Sequence, residues 1–195
     1  MRASFGALDI IKRIISENVR EGDICIDATA GRGNDTVFMC GLVGKSGRVY
    51  SFDIQPEAVE STRDLAAEKG FSDRAEIFLK DHSEMKDMFE KGTVSCITFN
   101  LGWLPKGDHS ISTKKETTLA AIEAGLELLK PNGIMTIIIY YGRDTGFEEK
   151  DAVLEYLPKI DSEKFTVIAM PFLNRPNCPP IPIVIRRDAD VQSGS

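Results

Sequence analysis

Cysteine is scarce and scattered in this 195-residue chain. Its four cysteines, Cys25, Cys40, Cys96 and Cys178, lie far apart, and no two of them form a Cys-x-x-Cys pair. A structural zinc site usually needs closely spaced thiols, so the spacing argues against one and we expect no metal. Cys25 and Cys96 stand inside apolar runs, where a small hydrophobic residue packs well. We therefore expect reduced, buried thiols in a cytoplasmic protein.

Long apolar runs are also missing. No stretch approaches the roughly 18 uninterrupted apolar residues that a membrane-spanning helix needs. The N-terminus has apolar residues at helical spacing (Leu8, Ile11, Ile14 and Ile15), but charged residues interrupt them. That pattern predicts an amphipathic surface helix and not the apolar region of a signal peptide. We expect no membrane partner.

Positive charge is in deficit. The 24 Lys and Arg residues are outnumbered by 30 Asp and Glu residues, which gives a net charge of −6 and argues against a general nucleic-acid coat. A nucleic-acid ligand would need a local basic patch, and two clusters are candidates: Lys106, Lys114 and Lys115, and Arg175, Arg186 and Arg187. Scattered, solvated charge explains these clusters equally well.

The chain is rich in alternating strand-like and helical segments. Apolar, β-branched runs predict five buried parallel strands, at 23–30, 47–54, 75–81, 94–101 and 133–141. Helical patterns separate them, and one of these carries Thr113 and Glu116 at capping-box spacing. This alternation predicts a doubly wound α/β sheet with helices on both faces.

The C-terminal part breaks this rhythm. The strand-like runs at 165–172 and 181–187 follow each other with no helical pattern between them, so they should pair antiparallel. Five parallel strands plus a C-terminal antiparallel hairpin is the layout of the Rossmann-like, seven-stranded class I methyltransferase sheet. We expect residues 1–195 to form a single domain of this kind.

The first predicted strand ends in a glycine-rich turn. Gly31 and Gly33 precede a helix that starts near Asn34 or Asp35. In doubly wound sheets the ligand lies outside the carboxyl ends of the strands, and glycines there allow close approach of a ligand to the backbone. Asp53 stands twenty residues after Gly33, where a carboxylate can accept hydrogen bonds from both hydroxyls of a ribose. NAD and S-adenosylmethionine both fit this pattern.

The residues around the turn favour S-adenosylmethionine. Thr36 occupies the third glycine position of the dinucleotide fingerprint Gly-x-Gly-x-x-Gly. Asp27 precedes the glycines as in the signature Asp/Glu-x-Gly-x-Gly-x-Gly, with Thr29 at the first glycine. An acid there suits a ligand with an ammonium and a sulfonium and would repel a pyrophosphate. Asn34 and Asp35 also offer acceptors, although a simple helix-start acid explains Asp35 equally well.

Two further strand ends carry candidate site residues. Asp81 and His82 follow the third strand, where the adenine edge of the cofactor would lie; an exposed loop position is the alternative for His82. After the fourth strand comes NLGWLPKGDH, which is similar to the Asn/Asp-Pro-Pro-Tyr/Phe motif of amino-methyltransferases. In that motif the polar side chain accepts a hydrogen bond from the target amine and the aromatic stacks on the base, roles that fall on Asn100 and Trp103. A core anchor is the alternative for Trp103.

The same block offers a proton acceptor. An alkylamine has a pKa of about 10, so it has to lose a proton before it can accept a methyl group. Asp108 or His109 could act as the general base. A loop turn explains these two residues equally well.

The chain as a whole resembles a known family. Several segments carry the resemblance: DATAGRGNDT, FDIQPEA, NLGWLPKGDHSISTKKETTLAAIE, LLKPNGIMTIIIYYG, EEKDAV and FLNRPNCPP. Together they are similar to the bacterial tRNA 5-(aminomethyl)-2-thiouridine methyltransferases, formerly labelled rRNA methylases. The resemblance implies N-methylation of the 5-aminomethyl group on the wobble uridine, with tRNA as the partner. It implies cofactor contacts at Asn34, Asp35, Asp53, Gln55, Asp81 and His82, and acceptor contacts at Asn100, Trp103, Asp108 and His109.

Other classes of function stay open on the residues alone. An N- or O-methyltransferase that acts on rRNA or a small molecule is the main alternative, and a small-molecule acceptor suits the acidic composition better than tRNA does. A NAD-dependent oxidoreductase would need a different glycine turn and a separate substrate domain. A non-catalytic RNA-binding module would not need the block that begins at Asn100. The sequence also leaves open whether the chain forms a homo-oligomer.

Overall fold

The computed structural model describes residues 5–102, 113–142 and 146–189. Helices and strands alternate along the chain in the following order: α1 Ala7–Asn18, β1 Ile24–Asp27, α2 Asn34–Val43, β2 Arg48–Asp53, α3 Pro56–Glu68, β3 Ala75–Leu79, β4 Val94–Leu101, α4 Lys115–Leu128, β5 Leu129–Ile139, α5 Phe147–Tyr156, β6 Phe165–Ala169 and β7 Ile181–Arg187. Short 3₁₀ helices cover His82–Asp87 and Leu157–Lys159. Within the described ranges, no helix has both the length and the apolar character to cross a membrane.

The seven strands form one sheet in the order β3-β2-β1-β4-β5-β7-β6. Neighbours from β3 to β5 pair parallel, and β7 pairs antiparallel with both β5 and β6. This confirms the predicted fold class, including the C-terminal antiparallel hairpin. The strand order reverses between β1 and β4, and in open α/β sheets a ligand crevice lies at such a switch point.

Neighbouring residues on each strand pack into two different cores because side chains alternate between the faces of a sheet. Cys25 and Cys96 are in register on β1 and β4 and face the core that contains α1 and α2. The next residues, Ile26 and Ile97, face the opposite core, which contains α4. Both thiols are fully buried, in agreement with the prediction from their apolar surroundings, and Cys40 is buried as well. The expectation of a buried thiol was wrong for Cys178, which is exposed in the segment between β6 and β7.

The start of α4 differs from the sequence prediction. The helix begins at Lys115 with Lys114 as its N-cap, so a capping box between Thr113 and Glu116 does not form. The hydroxyl of Thr113 instead donates to Oε2 of Glu149 at 2.6 Å and accepts the backbone N–H of Gly102 at 3.0 Å. The Thr113 hydroxyl is therefore bonded to the buried Glu149 on α5 and is not available to cap α4.

Candidate active site

A cavity of about 460 Å³ lies at the carboxyl ends of the parallel strands. Its volume is within the range of small-molecule and cofactor sites. Eight of the residues predicted from the sequence line it: Gly31, Asn34, Asp35, Asp53, Gln55, Asp81, His82 and Asn100. The remaining predicted residues that are described, Asp27 and Gly33, do not line it. Trp103, Asp108 and His109 lie outside the described residues.

Asp53, the last residue of β2, is held by two backbone N–H groups. Its Oδ2 accepts from Gly31 and its Oδ1 accepts from Gln55, both at 2.9 Å. An ionised carboxylate has about four acceptor positions, so each oxygen keeps capacity for a further donor. Asp53 can therefore receive two neighbouring hydroxyls of a ligand without giving up its own contacts.

The two glycines of the turn have different tasks. Both have positive φ angles, 55° at Gly31 and 78° at Gly33, which favour glycine. The N–H of Gly31 is already donated to Asp53. A Cβ atom at Gly33 would come within 2.9 Å of Cα of Thr62 on α3. The missing side chain of Gly33 therefore makes room for a helix, and its expected contact with a cofactor stays a prediction.

Asp27 lies behind the cavity wall, which corrects its expected contact with a cofactor. Its side chain is fully buried; Oδ2 accepts from the hydroxyl of Thr36 at 2.7 Å, and Oδ1 accepts from N–H of Thr29 at 3.2 Å. The Thr36 hydroxyl has one hydrogen, which it donates to Asp27. The hydroxyl of Ser51, 2.9 Å away, therefore donates to the oxygen of Thr36. Burial, followed by the negative charge of Asp35, raises the pKa of Asp27 to about 7. Asp27 therefore anchors the first turn of α2.

Asp81 caps the 3₁₀ helix that follows β3. Its Oδ1 accepts from N–H of Ser83 at 2.8 Å and from the Ser83 hydroxyl at 2.6 Å. Partial burial opposes ionisation, but the hydrogen bonds from Ser83 outweigh it, and the pKa of Asp81 is lowered overall. The carboxylate is thus held in its charged form at the edge of the cavity.

His82 lines the cavity and has a buried acceptor that no described residue uses. Its ring is buried against Phe99, and Nδ1 lies 3.1 Å from the carbonyl oxygen of Ala28. Because a carbonyl can only accept, Nδ1 carries the hydrogen and Nε2 has a free lone pair. Burial lowers the pKa of His82, which favours this neutral form. Nε2 has no hydrogen-bond partner among the described residues, an arrangement that a ligand amino group would satisfy.

Asn100 is fixed at two points near the end of β4. Its backbone N–H donates to the hydroxyl of Thr29 at 2.7 Å, and its side-chain Nδ2 donates to Oδ2 of Asp35 at 2.8 Å. The other carboxylate oxygen of Asp35 lies 3.6 Å from Nζ of Lys12 on α1. Thr29, which replaces a glycine of the signature, therefore supplies an acceptor that a glycine would lack.

Sequence reasoning missed several residues that complete the wall. They are Leu8 on α1, Thr117 on α4 and Tyr140 after β5; Thr113 and Lys114 also line the cavity, although the sequence indicated them only as a helix cap and as part of a basic cluster. For Tyr140 a signal was present in the sequence, because it is one of the last two residues of the fifth apolar run, at the strand end where ligands bind.

The two predicted basic clusters lie on different parts of the molecule. Arg186 is in register with Ile134, at the end of the β5–β7 pairing that is opposite to Ile139 and therefore away from the carboxyl end of β5. It donates to Oδ1 of Asn132 at 2.7 Å, and Arg187 donates to the carbonyl of Leu129 at 2.6 Å. Lys114, from the other cluster, lines the cavity. Lys106 lies outside the described residues. Arg175 lies apart from Arg186 and Arg187, in the segment between β6 and β7, where it donates to the carbonyl of Phe5. Lys114 is therefore the described member of the two clusters that lines the cavity.

Known proteins are similar to this chain in sequence and in fold. The model of the family described as "Putative rRNA methylase" matches residues 49–186. An Arabidopsis thaliana protein named tRNA (mnm(5)s(2)U34)-methyltransferase, chloroplastic, is 34% identical over 191 residues, which cover 93% of this chain and 70% of the relative. These two matches come from sequence alone.

Two solved structures are similar over almost the whole chain. A protein of the same description from Clostridium thermocellum is 44% identical with a TM-score of 0.91, and the match covers 96% of this chain and 100% of that one. A Streptococcus mutans protein in complex with SAH is 32% identical with a TM-score of 0.84, and the match covers 96% and 99%.

Fold, cavity and relatives agree on one class of enzyme. The seven-stranded sheet and the cavity at its switch point are those of an S-adenosylmethionine-dependent methyltransferase, as predicted from the glycine turn. The family of the chain follows from the family model, which matches more than half of its residues. The chain belongs to the rRNA methylase family, to which the A. thaliana tRNA methyltransferase is related.

Proposed function

We propose that the chain transfers a methyl group from S-adenosylmethionine to the amine of a 5-aminomethyl-2-thiouridine at the wobble position of tRNA. The observation that carries the proposal is the position of Asn100, which lines the same cavity as Asp53 and His82. An amide there can meet an acceptor amine while the opposite wall binds the cofactor, and such alignment is the main requirement of methyl transfer. The A. thaliana relative, named for mnm(5)s(2)U34 of tRNA, supports this acceptor.

The cofactor wall consists of acceptors held by the protein. S-adenosylmethionine supplies a methyl group bound to a positively charged sulfur. In this proposal the Asp53 carboxylate accepts hydrogen bonds from the ribose hydroxyls, and Nε2 of His82 accepts one from the adenine amino group. The charge of Asp35, which is 13% exposed, favours a cationic ligand in the same cavity.

The acceptor wall has to orient an amine that has lost its proton. If Oδ1 of Asn100 accepts an N–H of the amine, the nitrogen lone pair is left free to point towards the methyl group. Trp103 stacks on the uridine, and Asp108 or His109 takes up the proton that the amine loses. These last three roles stay predictions from the sequence.

Local positive charge lets an acidic protein bind a polyanion. Arg32, Lys80 and Lys114 are exposed side chains at the cavity, and their charges can meet the phosphates on either side of the target nucleotide. Binding of tRNA through these side chains would weaken as the salt concentration rises.

The test is methylation of hypomodified tRNA. Purified protein, S-adenosylmethionine and tRNA from a strain that lacks this modification are incubated, and the nucleosides are analysed by mass spectrometry. We expect 5-aminomethyl-2-thiouridine to be converted to 5-methylaminomethyl-2-thiouridine. Methylation of rRNA or of small amines, with tRNA unchanged, would overturn the proposal and favour the alternative acceptors.

Asn100→Ala sharpens this test. We expect the single-turnover rate to fall by at least about tenfold while the dissociation constant of S-adenosylmethionine, measured by calorimetry, changes by less than about threefold. Asn18→Ala is the matched control, because Asn18 is bonded to the carbonyl of Ile14 at the far end of α1. An Asn100→Ala protein with the wild-type rate would move the acceptor site elsewhere.

A further inference from the structure

We infer that Asp35 is a positioning residue that determines which end of the Asn100 amide faces the acceptor amine. This inference rests on the proposed function, since it assigns a task to Asp35 within the same site. A terminal amide has a donor nitrogen and an acceptor oxygen of nearly equal size, so shape alone does not orient it. Only the oxygen can accept an N–H from the target amine.

The hydrogen bond between Asn100 and Asp35 can have only one direction, from the amide to the carboxylate. Nδ2 of Asn100 lies 2.8 Å from Oδ2 of Asp35. An ionised carboxylate only accepts hydrogen bonds, so the nitrogen has to face Asp35 and the oxygen has to face away from it. Rotating the amide by half a turn would set two acceptors against each other in a largely buried place.

Asp35 is itself held in a charged, fixed position. It lies in the first turn of α2, where the helix dipole stabilises a negative charge. Nζ of Lys12 lies 3.6 Å from its second oxygen, and the same ammonium packs over the ring of Phe38 at 5.1 Å. At the other end, the backbone of Asn100 is tied to the hydroxyl of Thr29. Both members of the pair are therefore anchored to separate parts of the fold.

A simpler role for Asp35 would be to supply negative charge for a cationic cofactor. That role predicts weaker cofactor binding in Asp35→Asn, whereas the positioning role predicts slower methyl transfer with a cofactor affinity that is nearly unchanged. The positioning role depends on a matched donor and acceptor, so it should survive an exchange of the two side chains. In the double variant Asp35→Asn/Asn100→Asp, the amide of residue 35 donates to the carboxylate of residue 100, whose second oxygen is free to accept from the amine.

The exchange is tested by single-turnover methylation of hypomodified tRNA, with cofactor affinity measured by calorimetry. The wild type, both single variants and the double variant are compared, and Glu57→Gln, which removes an exposed acid from the first turn of α3, is the control. We expect Asp35→Asn to slow transfer about tenfold and Asn100→Asp more, because it brings two carboxylates together. The double variant should recover at least about tenfold over Asn100→Asp.

The outcomes separate this inference from the function on which it rests. Losses that simply multiply in the double variant, or a wild-type rate in Asp35→Asn, overturn the positioning role while tRNA methylation stands. No product with the wild-type protein overturns the proposed function and the inference together. If Asn100→Asp does not fold, the double variant is compared with Asp35→Asn, and a rate that is equal or lower overturns the inference.

Discussion

The two sides of the cavity are held together by different kinds of hydrogen bond. On the cofactor side, Asp27, Asp53 and Asp81 stand at or just after the ends of β1, β2 and β3, and each carboxylate accepts the backbone N–H of the residue two positions further on. On the other side, which we call the acceptor side after the proposed function, Asn100 and Thr113 line the cavity and Thr113 is bonded to Glu149; the contacts of these three residues join side chains 31 to 65 positions apart.

This difference predicts different sensitivities to mutation. An acid bonded to its own turn keeps that turn in place with the backbone as partner, so its loss should be felt mainly by the ligand. A side chain bonded to another element leaves a second side chain without a partner, so its loss should be felt by the fold as well. The following variants test whether mutations on the cofactor side weaken ligand binding and mutations on the acceptor side lower stability.

Glu149→Ala should have the largest effect, and it should be on stability. The buried carboxylate accepts from the hydroxyls of Thr113 and Thr118, each at 2.6 Å. Removing it leaves both hydroxyl hydrogens without an acceptor, and we expect the free energy of unfolding to fall by about 2–4 kcal/mol. Denaturant titration measures this, with Glu148→Ala as the control, since Glu148 has a side chain that is 86% exposed. Equal stability of the two variants would contradict the comparison.

Asp53→Ala should act on cofactor binding and much less on stability. Loss of a charged acceptor is worth about 1.5–3 kcal/mol, so we expect the affinity for S-adenosylmethionine to fall roughly ten- to hundredfold. Calorimetry with Asp53→Ala and with Asp64→Ala, a change on the exposed face of α3, measures it. If Glu149→Ala weakened cofactor binding more than Asp53→Ala did, the division between the two sides would be reversed.

Asp27→Asn should have the smallest effect, and that effect should depend on pH. The pKa of Asp27 is raised from 3.8 to about 7 in the folded protein, chiefly by burial. The folded state therefore binds a proton more tightly than the unfolded state, and stability is lost as the pH rises from about 4 through about 7. Asparagine does not ionise, so the variant should gain about 1–2 kcal/mol relative to the wild type between pH 5 and pH 6.5. Urea titrations at both values measure this, and a difference that is constant with pH would refute it.

The cofactor side was largely predictable because its contacts are local. The strand-end acids Asp53 and Asp81 and the residues next to them were found from strand ends and spacing, and the structure brings them to one cavity. The same reasoning could not separate Gly31 from Gly33, because the reason for a glycine at Gly33 is the distant Thr62. It also could not tell that Asp27 turns inward to Thr36, since period-two alternation fixes the face of a residue and not the direction of its carboxylate.

The acceptor side was predictable only in part. The strand end at Asn100 was found, but its partner Asp35 lies 65 positions earlier and belongs to a helix start, where a simpler explanation was available. Thr113 was predicted as a helix cap because no local signal points to Glu149, 36 positions later. Which of two acceptors a hydroxyl takes depends on packing between helices, and one sequence does not contain that information.

The three buried thiols allow opening motions of the protein to be measured by thiol labelling. Cys25, Cys40 and Cys96 are fully buried, whereas Cys178 is exposed. A thiol reagent should therefore modify one position of the native chain at once and the other three only when the structure opens. Cys25 and Cys96 are in register on β1 and β4, so their labelling rates record the separation of the two strands that carry Asp27 and Asn100. The labelling rate therefore measures how often the centre of the sheet opens, and the measurement needs no bound cofactor or substrate.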